Sequence, residues 1–298
     1  MSNFFTKFPE MPNETYRAMK KGIDKSYKSF AREYGDAIDA FFDPLLQLLV
    51  FFEKLLITTP WPIILLVLLA LTYWGSRSIK ITVSTMLAFV FIGYFKMWDE
   101  TMSTIAIILT SVIMSVAIGI PTGIAMSRSD RTQAIVTPIL DLMQTMPPFV
   151  YLIPIVMLMG IGKIPGLIAV VVYAIPPLIR LTNLGIREVD KEALEAADAF
   201  GVTPWQKLIK VQMPMALPTI FAGINQTIMM ALAMVIIAAM IGVKGLGQPV
   251  LQSIYNQYFT KGVLYGLAIV IVAIVFDRVS QSYGQRIQKH RSGKLIDD

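Results

Sequence analysis

Cysteine and histidine, two side chains that often carry covalent or metal chemistry, are nearly missing from this chain of 298 residues. It has no cysteine, so disulfides, zinc–thiolate sites, iron–sulfur clusters and thiol nucleophiles are all excluded. Its one histidine, His290, sits in a basic C-terminal run and reads as solvated sequence. No Gly-x-x-x-x-Gly-Lys-[Ser/Thr] phosphate loop occurs, and Gly242 to Gly247 lacks the Lys-Ser/Thr ending. What remains is polar residues in apolar surroundings: Asp141 and Gln144, then Asn225 and Gln226 in consecutive positions. Such groups hold helices together or line a path for a polar solute; they do not make and break bonds. No catalytic residue and no metal site is expected, and the net charge of +6 fits basic loops beside a membrane as well as it fits nucleic acid.

The elements that position these residues are membrane helices. Hydrophobic residues make up 55% of the chain and charged residues 15%, with a mean hydropathy of +0.62. A soluble core cannot hide that much apolar surface. Seven segments read as spans: 60–76, 79–97, 101–126, 138–160, 163–182, 218–242 and 262–277. Residues 41–58 carry Asp43, Gln47, Glu53 and Lys54 and read as an amphipathic helix in the interface, or as an eighth span. Residues 1–40, with Lys7 and Arg17 among many balanced charges, read as a polar tail and not as a signal peptide. The expected organisation is that tail, the 41–58 helix, accessory helices over 59–97, a core over 98–277, and a basic tail over 278–298.

Lys and Arg set the orientation. The loops holding Arg77, Arg128, Arg180 to Lys210 and Arg278 to Lys294 are far more basic than the alternate loops, which hold only Lys96, Lys163, Lys244 and Lys261. The richer set belongs in the cytoplasm, and the C-terminus with it.

Prolines interrupt two spans. Pro147, Pro148 and Pro154 fall in 138–160, and Pro176 and Pro177 in 163–182, where kinks are expected. Asp141 has two readings: it pairs with a nearby Arg and holds helices, or it lines the path. Asn225 and Gln226 likewise point to helix contacts or to the path. Gly119, Gly123, Gly160 and Gly162 are expected to permit close helix packing. The methionines Met229, Met230, Met234 and Met240 read as adaptable packing.

One polar connection, 184–214, is patterned. Asp190 is placed to cap a helix over Lys191 to Phe200, and Gly201 to end it. Thr203 is placed to cap a second helix with Pro204 first, its apolar face supplied by Trp205, Leu208, Ile209 and Val211. Pro214 and Pro218 are expected to break the chain before the next span. Two short helices would then protrude from the membrane, either as a packed loop or as a dock for a soluble partner.

Glu195-Ala196-Ala197, three residues, Gly201, nine residues, then Val211, Gln212, Met213 and Pro214 resembles the Glu-Ala-Ala loop of ABC importer permeases, with Val for Ile and Met for Leu. The runs Pro138 to Pro147, Phe149 to Leu152, Ala222 to Gln226 and Gly242 to Gly247 are similar to the glycine betaine/proline betaine permeases of the ProW and OpuAB type. The similarity runs from about residue 60 to residue 280.

The resemblance implies an all-α integral membrane protein with the type I ABC importer transmembrane fold, in a bacterial cytoplasmic (inner) membrane. It implies an ABC ATPase subunit holding ATP and Mg, an extracytoplasmic substrate-binding protein, a second permease copy as a homodimer, surrounding lipid, and no nucleic acid. This chain itself would bind no cofactor. Glu195, Ala196, Ala197, Gly201, Val211, Met213 and Pro214 would form the ATPase-coupling loop. Asp141, Gln144, Tyr151, Asn225 and Gln226 would be path candidates, with Phe149 and Tyr173 as further aromatic contacts. The implied cargo is glycine betaine, proline betaine or a related compound such as choline, carnitine or trimethylamine N-oxide, taken up as an osmoprotectant. An ion-gradient-driven secondary transporter is the alternative from another class. The loop argues against it, since an ion-coupled carrier has no ATPase to dock.

Overall fold

The computed structural model describes residues 10–292, with side chains through Gly284. Lys7 and Lys294 lie outside the described residues, and the side chains of Arg286, Lys289, His290 and Arg291 outside the described side chains. Every regular element among the described residues is helical. In chain order these are α1 (Asn13–Thr58), α2 (Trp61–Ser76), α3 (Ile79–Tyr94), α4 (Trp98–Arg128), α5 (Asp130–Thr145), α6 (Pro148–Met159), α7 (Lys163–Ala174), α8 (Pro176–Arg187), α9 (Lys191–Ala199), α10 (Pro204–Lys207), α11 (Met213–Ala238), α12 (Gly247–Asn256) and α13 (Phe259–Ser292).

Four stretches are long and apolar enough to cross a bilayer: Trp98–Arg128, Lys163–Arg187, Pro204–Ile241 and Phe259–Gly284. The number rises to six if each of two bent pairs, α1 with α2 and α5 with α6, counts as one span. Seven segments were expected. The difference arises partly because α2 and α3 have 16 residues each, about 24 Å of rise against a hydrocarbon core of about 30 Å. The expected division at residue 40 is not marked by a break. α1 runs through it for 46 residues, carrying Pro44 inside and burying Leu45 and Leu49. An i,i+4 hydrogen bond from Gln47 to Asp43 (2.7 Å) supports the helix just there, and Glu53 pairs with Lys163 at the start of α7.

The core is built where backbones approach closely. On α4, a Cβ at Gly123 would fall 2.5 Å from Thr182 Cβ and 2.8 Å from the Ile179 carbonyl of α8, and Gly119 faces Leu178 one turn away. From the other side, Gly223 of α11 lies against Leu178 and Leu181. α8 is thus clasped between α4 and α11, and Leu178, Ile220 and Ala216 are fully withdrawn from the surface. Small residues permit this packing because lipid supplies no hydrophobic force between helices. Gly160 and Gly162 do something else. Nothing lies within 4 Å of a Cβ at either, and Gly160 has φ +77°, so they form the turn from α6 to α7.

The prolines act unequally. The expected span 138–160 is two helices: α5 starts at Asp130, capped by Ser129, and ends at Thr145; α6 starts at Pro148, bent by 101°. Met146 and Pro147 each precede a proline and are driven out of the helical region, with ψ 132° and 139°. At Pro176–Pro177 the residue before, Ile175, keeps helical angles (φ −72°, ψ −31°), so α7 and α8 continue as one 25-residue stretch. The glycine run 242–247 packs onto the start of α4, where Leu246 N–H donates to Thr104 Oγ1 (2.9 Å).

Candidate functional site

The patterned loop folds as two short helices held by local polar bonds. Asp190 Oδ1 accepts from Glu192 N–H (2.9 Å) at the head of α9. Thr203 and Gln206 form a reciprocal capping box at the head of α10, with Pro204 first. Gly201 adopts φ +70° with open space around the missing Cβ. Its backbone angle, not crowding, is what demands glycine there. Lys207 Nζ binds both oxygens of Asp198 (2.7 and 2.9 Å), tying α10 back to α9. Of the expected loop residues, Glu195, Ala196 and Gly201 are exposed, Ala197 is buried, and Val211, Met213 and Pro214 are half-buried at the root.

The apolar face expected of the second helix is split in the structure: Trp205 is 59% exposed and Ile209 48%, while Leu208 alone of the four is buried. Phe200, not singled out from the sequence, is 87% exposed, so two aromatic rings stand on the outside of the loop. The break expected at Pro214 and Pro218 does not occur. Between Leu208 and Gln212 the chain takes a wider turn in which Met213 N–H bonds the Leu208 carbonyl, five residues back. Pro214 then falls in the first turn of α11, and Pro218 is carried inside that helix.

Arg187 anchors the root of the loop. Its guanidinium donates to Asn183 Oδ1 (3.1 Å), to the Met126 carbonyl at the end of α4 (2.9 Å) and to Asp130 Oδ1 at the start of α5 (2.7 Å). An orphan carbonyl at a helix C-terminus is a natural partner for a cation. The partners lie 57 and 61 residues away in sequence, which is why sequence reading did not find them.

The polar membrane residues form two separate groups. Asp141 of α5 pairs with Arg180 of α8 through Oδ1 and Nη2, the arrangement that one of its two readings required. Gln144 is exposed one turn further along. Tyr151 is buried; its hydroxyl donates to the Met143 carbonyl across the α5–α6 bend. Its ring meets Tyr173 edge-on at 6.2 Å, while Phe149 stays exposed. Tyr151 therefore straps the bend. In the other group, Asn225 Nδ2 donates to Asp277 Oδ1 on α13 (3.0 Å), and Gln281 Nε2 to the same oxygen (2.7 Å). Asp277 was not singled out from the sequence, although Asp277 and Gln281 at i,i+4 are visible there. Asn225 and the exposed Gln226 line a groove of about 380 Å³ with Phe221, Met229 and Gln281.

Residues 115–289 match the family described as "Binding-protein-dependent transport system inner membrane component". The chain is 46% identical over 234 residues to the glycine betaine/proline betaine transport system permease protein ProW of Escherichia coli (strain K12), covering 78% of this chain and 66% of that protein. It is 46% identical over 260 residues to the glycine betaine transport system permease protein OpuAB of Bacillus subtilis (strain 168), covering 87% and 89%. Against the ProW protein of Salmonella typhimurium, identity is also 46%, and the chain spans 62% of that protein's length. Among solved structures, inward-facing conformations of the MetNI methionine ABC transporter match with a TM-score of 0.57 at 22% identity, over 62% of this chain and 92% of that one. At that identity the likeness is one of fold.

Proposed function

Because the chain belongs to the binding-protein-dependent transport system inner membrane components, we propose that it is the membrane permease subunit of an ATP-driven importer for glycine betaine, proline betaine or a closely related quaternary ammonium compound. The observation that carries this reading is the α9–α10 loop, which leaves Glu195, Ala196, Phe200 and Trp205 exposed on a hydrogen-bonded frame. A self-contained carrier has no use for an aromatic dock of this kind. Two exposed rings beside small residues suit a groove on a soluble partner. That partner is an ABC ATPase subunit, which brings ATP and Mg; this chain contributes no catalytic group. Capture of the solute falls to an extracytoplasmic binding protein, and a second copy of the permease completes the path. The charge asymmetry of the loops supports a cytoplasmic C-terminus and a cytoplasmic dock, in the inner membrane of a bacterium.

Co-purification with the cognate ATPase tests the reading. Glu195→Lys combined with Trp205→Ala should leave insertion unchanged and reduce ATPase recovery at least about tenfold, as loss of a central aromatic anchor does. Full recovery of the ATPase with the doubly substituted chain would reject the dock.

A further inference from the structure

Asp141 and Arg180 both fall in stretches read as crossing the membrane, 138–160 and 163–182, where charge is costly. Asp141 lies eleven residues along α5 from Asp130, and Arg180 seven residues before the end of α8. These are rises of about 16 Å and 10 Å from the end that carries the loop. Around Asp141, Ile139 and Leu142 are 52% and 59% exposed, with Gln144 exposed one turn further along. Yet the two charged side chains keep 56% and 37% of their own surface open. Charges turned towards hydrocarbon are strongly disfavoured, so within a span this face must look onto water or another protein surface.

The pair is also incompletely matched. It is joined through one nitrogen and one oxygen, whereas Arg and carboxylate often meet through two parallel bonds. Arg180 Nε is withdrawn from solvent and has no acceptor. A spare donor on the cation and a spare oxygen on the anion are what a bound ion of mixed charge would use. We propose that Asp141 and Arg180 form a subsite for a zwitterion, a proposal that rests on the permease reading above. The solute's carboxylate takes the guanidinium, its quaternary ammonium takes Asp141, and the protein pair separates to admit it. Each protein charge exchanges one partner for another, so none is left bare inside the membrane. A simple cation would satisfy Asp141 and strand Arg180. A quaternary ammonium donates no hydrogen bond, so the carboxylate meets it by charge alone, which a half-open Asp141 allows.

The test uses the whole complex, permease with ATPase and binding protein, in lipid vesicles supplied with glycine betaine. Transport per assembled complex and ATP hydrolysis are read for Asp141→Asn, Arg180→Gln and both together. The subsite predicts that all three lower transport about tenfold or more, while hydrolysis still responds to the loaded binding protein. A purely structural brace predicts that joint neutralisation, which leaves no unpaired charge, transports within about twofold of the unsubstituted protein; that result overturns the proposal. Failure of the double variant to assemble overturns it too, since the pair is then a brace. If the unsubstituted complex moves no betaine, the permease reading itself fails, and it does so in the control.

Discussion

Substitution of Gly201 measures how much the proposed docking loop depends on one backbone angle. The residue sits at φ +70° with no heavy atom within 4 Å of a Cβ. An added side chain therefore meets no clash, and the whole penalty is conformational. For alanine in the left-handed region that penalty is about 1–2 kcal/mol; for valine, stiff at χ1, it is about 2–3 kcal/mol. If the turn relaxes to relieve the strain, the docking-competent geometry falls to roughly a tenth with alanine and about a hundredth with valine. Asparagine, which tolerates this region, should lose least. The rank order Gly, Asn, Ala, Val is the signature, because it follows φ preference and not size. The assay is betaine uptake by reconstituted complexes, normalised to inserted permease, beside ATP hydrolysis. The hydrogen bonds that frame α9 and α10 lie on either side of the turn, so insertion should be unchanged. Uptake by Gly201→Val equal to that of the unsubstituted protein would refute the argument.

Two further predictions concern the frame. With no native cysteine, single-cysteine labelling is clean: Lys244→Cys should react with an impermeant thiol reagent added outside intact cells, and Lys210→Cys, on the dock side, should not; labelling of Lys210→Cys from outside would reverse the orientation. Gly123→Ala forces a Cβ to within 2.5 Å of Thr182 Cβ and 2.8 Å of the Ile179 carbonyl, so α4 and α8 must part; the expected loss is about 1–3 kcal/mol, read as a lower melting temperature of the purified protein in detergent, and an unchanged melt would show that the contact is slack.

Local grammar was legible in the sequence and long-range pairing was not. The caps at Asp190 and Thr203, the turn at Gly201 and the start at Pro204 each depend on residues within four positions, and each is found where the sequence placed it. The bend after Thr145 is also local, but it needs the rule for residues before proline applied twice in succession, at Met146 and Pro147. The apolar set Trp205, Leu208, Ile209 and Val211 is split between exposed and buried positions where the helix is four residues long and then widens, so a regular 3.6-residue period does not describe its sides. Gly160 and Gly162 were expected to permit close packing as Gly119 and Gly123 do, and only the three-dimensional neighbours tell a turn from a contact. Arg180 and Arg187 read as loop charges until their acids on α5 are brought beside them. The motif alone suggested a docking role for the loop; its two outward aromatic rings emerge only from the folded chain.

The wide turn at Leu208–Gln212 sets the compass bearing of the proposed dock. Successive residues of an α-helix advance by about 100° around its axis, and a turn closed five residues back in place of four inserts one residue without ending the helix. Everything before it is thereby rotated by roughly that angle relative to the faces of α11. Phe200, Trp205 and Glu195 owe their azimuth to this single extra residue as much as to their own identities. A one-residue deletion there would leave the same surface, equally well folded, aimed about a quarter-turn away from its partner.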